Sequence, residues 1–140
     1  MNTPLFNEAL QQGLQLPLME LFYSIQGEGF HTGKPACFVR IGGCDVGCKW
    51  CDVKESWNPD KHALSTTENI VDLVLQYPVK AVVVTGGEPL MYNLNYLCTL
   101  LKKHGVTTFL ETSGSHAITG MWDWICLSPK AKQPPLQELY

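Results

Sequence analysis

Residues 81–89 read AVVVTGGEP. Alanine followed by three valines, with no polar alternation, is the pattern of a strand buried on both faces, and such strands belong to parallel sheets covered by helices. Amphipathic segments flank it. Upstream, Ile70, Leu73, Val74 and Tyr77 recur at helical spacing, with Ser65 and Glu68 set as a capping box and Pro78 as the stop. Downstream, Leu94, Leu97, Cys98 and Leu101 share one helical face, and Gly105 is the expected C-terminal stop. Further out, LMELFYSI (18–25), ACFVRI (36–41), VTTFLET (106–112) and WICLS (124–128) read as strands.

Strand, helix, strand, helix, strand predicts right-handed βαβ units on a parallel sheet, an α/β fold. A closed (β/α) barrel needs roughly 200 residues or more, and this chain has 140. The expectation is therefore a parallel-sheet partial barrel, one domain over residues 1–140, incomplete at its carboxyl end, where KAKQPPLQELY follows the last strand without a covering helix. Functional loops of such sheets lie at the carboxyl ends of strands. That edge collects Cys44–Cys51, Thr85–Pro89, Glu111–Gly114 and Ser128–Lys130.

Composition narrows the function. The formal charge is 10 − 13 = −3, which argues against a protein that grips nucleic-acid backbones. No apolar run approaches the roughly 18–20 residues of a membrane span, and the start MNTPLFNEALQQG has no secretory pattern. The cytoplasm is the expected compartment. In that reducing setting the six cysteines are metal ligands or buried thiols rather than disulfides.

Cys44, Cys48 and Cys51 form C-x3-C-x2-C on a loop eased by Gly42, Gly43 and Gly47. Three thiolates leave one iron of a cubane iron–sulfur cluster open for another ligand. A zinc site completed by His62 stays open as the bland alternative. Cys37, Cys98 and Cys126 lie in apolar stretches and read as structural thiols. His31, His104 and His116 show no ligand spacing and receive no role. Arg40 stands out, because a guanidinium in an apolar strand needs a partner: a ligand carboxylate, or an internal Glu28 or Glu20.

C-x3-C-x-aromatic-C, followed one helix later by Gly86-Gly87-Glu88-Pro89, resembles the paired motifs of the radical S-adenosylmethionine (SAM) enzymes. FYSIQGEG (22–29), ACFVRIGGC (36–44), CKWCD (48–52), VTGGEP (84–89), LETSG (110–114) and LSPK (127–130) resemble the 7-carboxy-7-deazaguanine synthase family of the queuosine (tRNA modification) pathway. The resemblance implies a lyase that converts 6-carboxy-5,6,7,8-tetrahydropterin to 7-carboxy-7-deazaguanine with loss of ammonia. It implies a [4Fe-4S] cluster on Cys44, Cys48 and Cys51. SAM would meet Trp50, Cys51, Asp52, Gly87, Ser128 and Lys130, and the carboxylated pterin Ile25, Gln26, Gly27, Glu28, Arg40 and Thr85.

By the same resemblance Glu88 contacts SAM or braces its loop, and Thr112 and Ser113 contact SAM or end a strand. A homodimer and an electron donor such as flavodoxin are expected, with no direct nucleic acid and no membrane. The family's Mg²⁺ leans on a threonine after Cys-Asp; here Val53 offers no oxygen. Two other readings share the cluster loop: an activase of glycyl-radical enzymes, and a non-catalytic iron–sulfur module.

Overall fold

A computed structural model describes residues 4–48 and 51–130. The elements run α1 (Pro4–Gln11), β1 (Gln15–Ile25), β2 (Pro35–Ile41), β3 (Leu64–Thr66), α2 (Thr67–Leu75), β4 (Ala81–Gly86), α3 (Asn95–Lys103), β5 (Thr107–Thr112) and β6 (Trp124–Leu127). One open six-stranded sheet has the order β3-β1-β2-β4-β5-β6. β2, β4, β5 and β6 are parallel neighbours, the predicted βαβ frame.

β1 departs from that frame, pairing antiparallel with both β2 and β3. Only residues 26–34 join β1 to β2, too few for the dozen or more that a parallel crossover needs. β1 also begins three residues before the expected Leu18, because Gln15–Pro17 pair with the short β3. That pairing occupies Ser65, so the N-cap of α2 is Thr66, whose hydroxyl accepts from the Asn69 amide at 3.2 Å. Glu68 turns away from the cap and accepts from the Tyr96 hydroxyl.

β4 is covered on both sides, as its sequence requires. Val82 and Val84 join Val39, Ile41 and Leu110 against Ile70, Val74, Leu97 and Leu101 of the helices. Val83 faces the other way, with Ala36, Phe38, Phe22 and Phe109, and the Phe22 and Phe38 rings stack at 5.2 Å. Period-two alternation carries this inner face upward to Arg40 and Thr85, direct partners across β2 and β4. Gly105 ends α3 with φ +69°. Among the described residues no helix is long and apolar enough to cross a membrane.

Candidate active site

Above the phenylalanine layer, at the carboxyl ends of the parallel strands, lies a cavity of about 270 Å³. Cys44, Cys48 and Cys51 all line it. The loop carrying them is seated on β4 by backbone contact: the Glu88 amide donates to the Gly43 carbonyl at 2.8 Å. A Cβ on Gly87 would fall 1.9 Å from that same oxygen, so the position admits glycine alone. On the loop's other flank the Cys44 amide donates to the Trp57 carbonyl at 3.2 Å.

Burial pushes the Cys44 and Cys48 thiols up, opposed at Cys44 by hydrogen bonds from the Val46 and Gly47 amides and at Cys48 by the charge of Lys130. Cys37 and Cys98 are pushed to about 11 by burial and stay outside the cavity. They fit the structural role expected of them.

Glu88 is 1% exposed and fully engaged. Its carboxylate accepts from the Leu90 amide at 2.9 Å, the Thr112 hydroxyl at 2.8 Å, and the Ser113 amide and hydroxyl at 2.8 and 2.5 Å. Of its two expected roles the structure shows the brace: Glu88 joins the β4 loop to the β5 loop. Ser128 is anchored to β5 through its amide, which donates to the Thr112 carbonyl, and its hydroxyl accepts from Lys130 Nζ at 2.8 Å.

Polar and charged side chains complete the lining. Arg40 donates through Nε to Glu20 Oε2 at 3.1 Å and through one terminal nitrogen to the Gly86 carbonyl at 3.2 Å. Thr85, Glu28, Asp52 and Lys130 share the cavity with it. The Glu28 carboxyl is held above its ordinary value, first by the neighbouring charge of Glu111 and then by burial, with Lys130 and Arg40 acting in the other sense.

Not every expected residue gathers here. Ile25 is 64% exposed, and neither it nor Gly27 lines the cavity. Gln26 is buried and accepts from the Glu28 amide, but lines a second cavity at the other end of the inner face, with Ala36, Ala81 and Phe109. Trp50 lies outside the described residues. The sequence placed Glu111 in a loop at the functional edge but gave it no role of its own; it lines the cavity, two positions after Phe109 on the inner face, as strand alternation requires. His116 likewise received no role, whereas its Nε2 lies 2.7 Å from Asp45 Oδ2.

The donor set suits a cluster better than a single ion. Among the described residues no three His, Cys, Asp or Glu side chains converge tightly enough for one metal ion. His62, the proposed fourth zinc ligand, is bound to the Glu55 carbonyl and is not part of the cavity. A cubane spreads its thiolates over separate irons, and three thiols around one open cavity match that demand. Val53 also lines the cavity, where its methyls offer nothing to Mg²⁺.

Comparison with known proteins agrees with this geometry. Residues 38–126 match the model of the radical SAM superfamily, and the chain belongs to that superfamily. Its members use a 4Fe–4S cluster and SAM, which the three thiols and the glycine-lined β4 end fit. The chain is 54% identical to a 7-carboxy-7-deazaguanine synthase of Flavobacterium psychrophilum, covering 94% of this chain and 62% of that one. It is 47% identical to the Synechocystis enzyme of the same name, over 89% and 60% of the two chains. The crystal structure of QueE from Escherichia coli superposes with a TM-score of 0.81 at 33% identity, over 95% of this chain and 67% of that one. The chain thus spans about three fifths of the length of those curated relatives.

Proposed function

We propose that residues 1–140 form the single radical SAM core domain of a 7-carboxy-7-deazaguanine synthase, a cytoplasmic carbon–nitrogen lyase of queuosine biosynthesis. The observation that supports this reading most is the meeting of two sets of residues in one cavity: the thiols of Cys44, Cys48 and Cys51, and the polar side chains of Arg40, Thr85 and Glu28. The glycyl-radical activase reading needs no charged small-molecule wall, and a bare iron–sulfur module needs no cavity.

When bound, the cluster and SAM would supply the hydrogen-abstracting radical chemistry on which ring contraction of the carboxylated pterin and loss of ammonia depend, with Cys44, Cys48 and Cys51 as the residues that would hold the cluster. This chain's residues bind and orient. The Arg40 fork, held by Glu20 and Gly86, presents its remaining N–H groups to the substrate carboxylate, a geometry that suits a bidentate pair. Thr85 offers a hydroxyl beside it, and the Glu28 carboxyl, held above its ordinary value first by the charge of Glu111, lines the same cavity within reach of a pterin donor or acceptor. Gly87 offers the methionine part of SAM a close backbone approach, braced from behind by Glu88, with Asp52 toward the adenosyl group and Ser128 and Lys130 as further SAM contacts.

The protein is expected to work as a homodimer fed by a flavodoxin-type reductant, with Val53 weakening any hold on Mg²⁺. The test is anaerobic reconstitution, then SAM, dithionite and 6-carboxytetrahydropterin, with mass-spectrometric detection of 7-carboxy-7-deazaguanine and assay of ammonia. Formation of 5′-deoxyadenosine without any deazaguanine product, at saturating pterin, would reject the synthase reading and leave the superfamily assignment standing.

A further inference from the structure

The loop that follows β5 touches both cofactor motifs. At its start, Thr112 and Ser113 hold the Glu88 carboxylate. Three residues later, His116 Nε2 meets Asp45 Oδ2 at 2.7 Å, and Asp45 directly follows Cys44. β2 and β5 are not neighbours, because β4 lies between them. Their ends are therefore about 10 Å apart at ordinary strand spacing, and the side-chain contact between their loops spans the width of β4. The pair is sheltered, with the Asp45 side chain 15% and the His116 side chain 30% exposed.

The amino side of Cys44 is secured by backbone: the Gly43 amide on Ser56, the Cys44 amide on Trp57, and the Gly43 carbonyl under Glu88. On its carboxyl side the turn is tied to the far side of the sheet through Asp45. We propose that His116 is a positioning residue for the cluster loop: by holding Asp45 it keeps Cys44 aimed into the cavity, so that one five-residue segment, Thr112–His116, braces both cofactor motifs. This rests on the superfamily assignment of Cys44 and not on the substrate. Partners outside the ligand shell typically change metal affinity by about 10–100-fold when removed.

The test follows iron release from the anaerobically reconstituted chain to an excess ferrous chelator, with the electron paramagnetic resonance spectrum of the reduced cluster recorded alongside. His116→Ala is expected to lose iron at least about tenfold faster. His116→Gln, whose amide nitrogen can take the place of Nε2, is expected to stay within about threefold of the parent. Asp45→Ala should lose iron at least as fast as His116→Ala, and the double variant should be no faster than Asp45→Ala, because without Asp45 the histidine has nothing to hold.

A sheltered loop pair of this kind contributes little to global stability, so the cluster-free variants should melt within about 4 °C of the parent. Release from His116→Ala within twofold of the parent would overturn the proposal, as would equal losses in the Ala and Gln variants or additive effects in the double variant. A melting point lowered by more than about 10 °C would make His116 a residue of the fold and would overturn it too.

Discussion

Glu20 and Arg40 face each other across β1 and β2 as register partners, and a 3.1 Å ion pair joins them on the inner face of the sheet. Glu20 is half-exposed and Arg40 only 20% exposed, so the carboxylate steadies the guanidinium from the solvent side. The Gly86 carbonyl takes a second N–H. The five N–H groups of arginine are more than these two acceptors use. The side chain that sequence marked as needing a partner therefore has one, and still lines the cavity.

Arg40→Lys should weaken binding of the carboxylated pterin by about 1.5–3 kcal/mol, the cost of a charge-assisted pair. SAM binding should hardly change. Isothermal titration with each ligand in turn reads this out; equal losses for both ligands would point to a damaged fold instead.

The cluster thiols separate cleanly from the structural ones. Cys48→Ala should abolish the four-iron cluster on anaerobic reconstitution, because each remaining thiolate serves a different iron. Cys98→Ala, on the buried face of α3 and outside the cavity, should keep full iron content. Stoichiometric zinc without iron in anaerobically purified protein would refute the assignment.

Glu88 and Thr112 give a stability test. Thr112→Val preserves shape but removes a hydroxyl from a carboxylate that is 1% exposed. Stability should fall by about 1–3 kcal/mol, seen as a lower urea midpoint at unchanged slope. An unmoved midpoint would mean that Ser113 and the Leu90 amide satisfy Glu88 alone.

The Glu28–Glu111 repulsion sets a pH dependence. The folded Glu28 carboxyl sits above its ordinary 4.5. Stability linked to it is thus fully present below the unfolded value and declines as pH rises through the folded one. Glu28→Gln should raise the melting temperature at pH 7 and leave it unchanged near pH 4. The reverse pattern, a gain at pH 4 alone, would contradict the assigned direction.

Val53→Thr places an oxygen where the valine methyls now line the cavity. The unaltered chain should turn the pterin over weakly and nearly independently of Mg²⁺, and Val53→Thr should introduce stimulation by the ion. Strong Mg²⁺ dependence in the unaltered chain would mean that another group, with Asp52 the nearest carboxylate in sequence, holds the metal.

The sequence by itself determined the chemistry types and every element except α1 and the short β3. The valines of β4 required burial on both faces, the helical stripes of α2 and α3 required a sheet to cover, and three cysteines beside a double glycine marked the cofactor loops. These signals are short-range, since periodicity and turn chemistry act within a few residues. Only the tertiary structure decided who meets whom. Arg40 takes Glu20, twenty residues away, because β1 runs antiparallel in one register. Glu88 takes Thr112 and Ser113 across 24 and 25 residues, and His116 takes Asp45 across 71. Ile25 turns outward and Gln26 to another cavity, although both stand beside Glu28 in sequence. Strand order and register bring remote loops to one edge of the sheet, and no local pattern encodes that meeting.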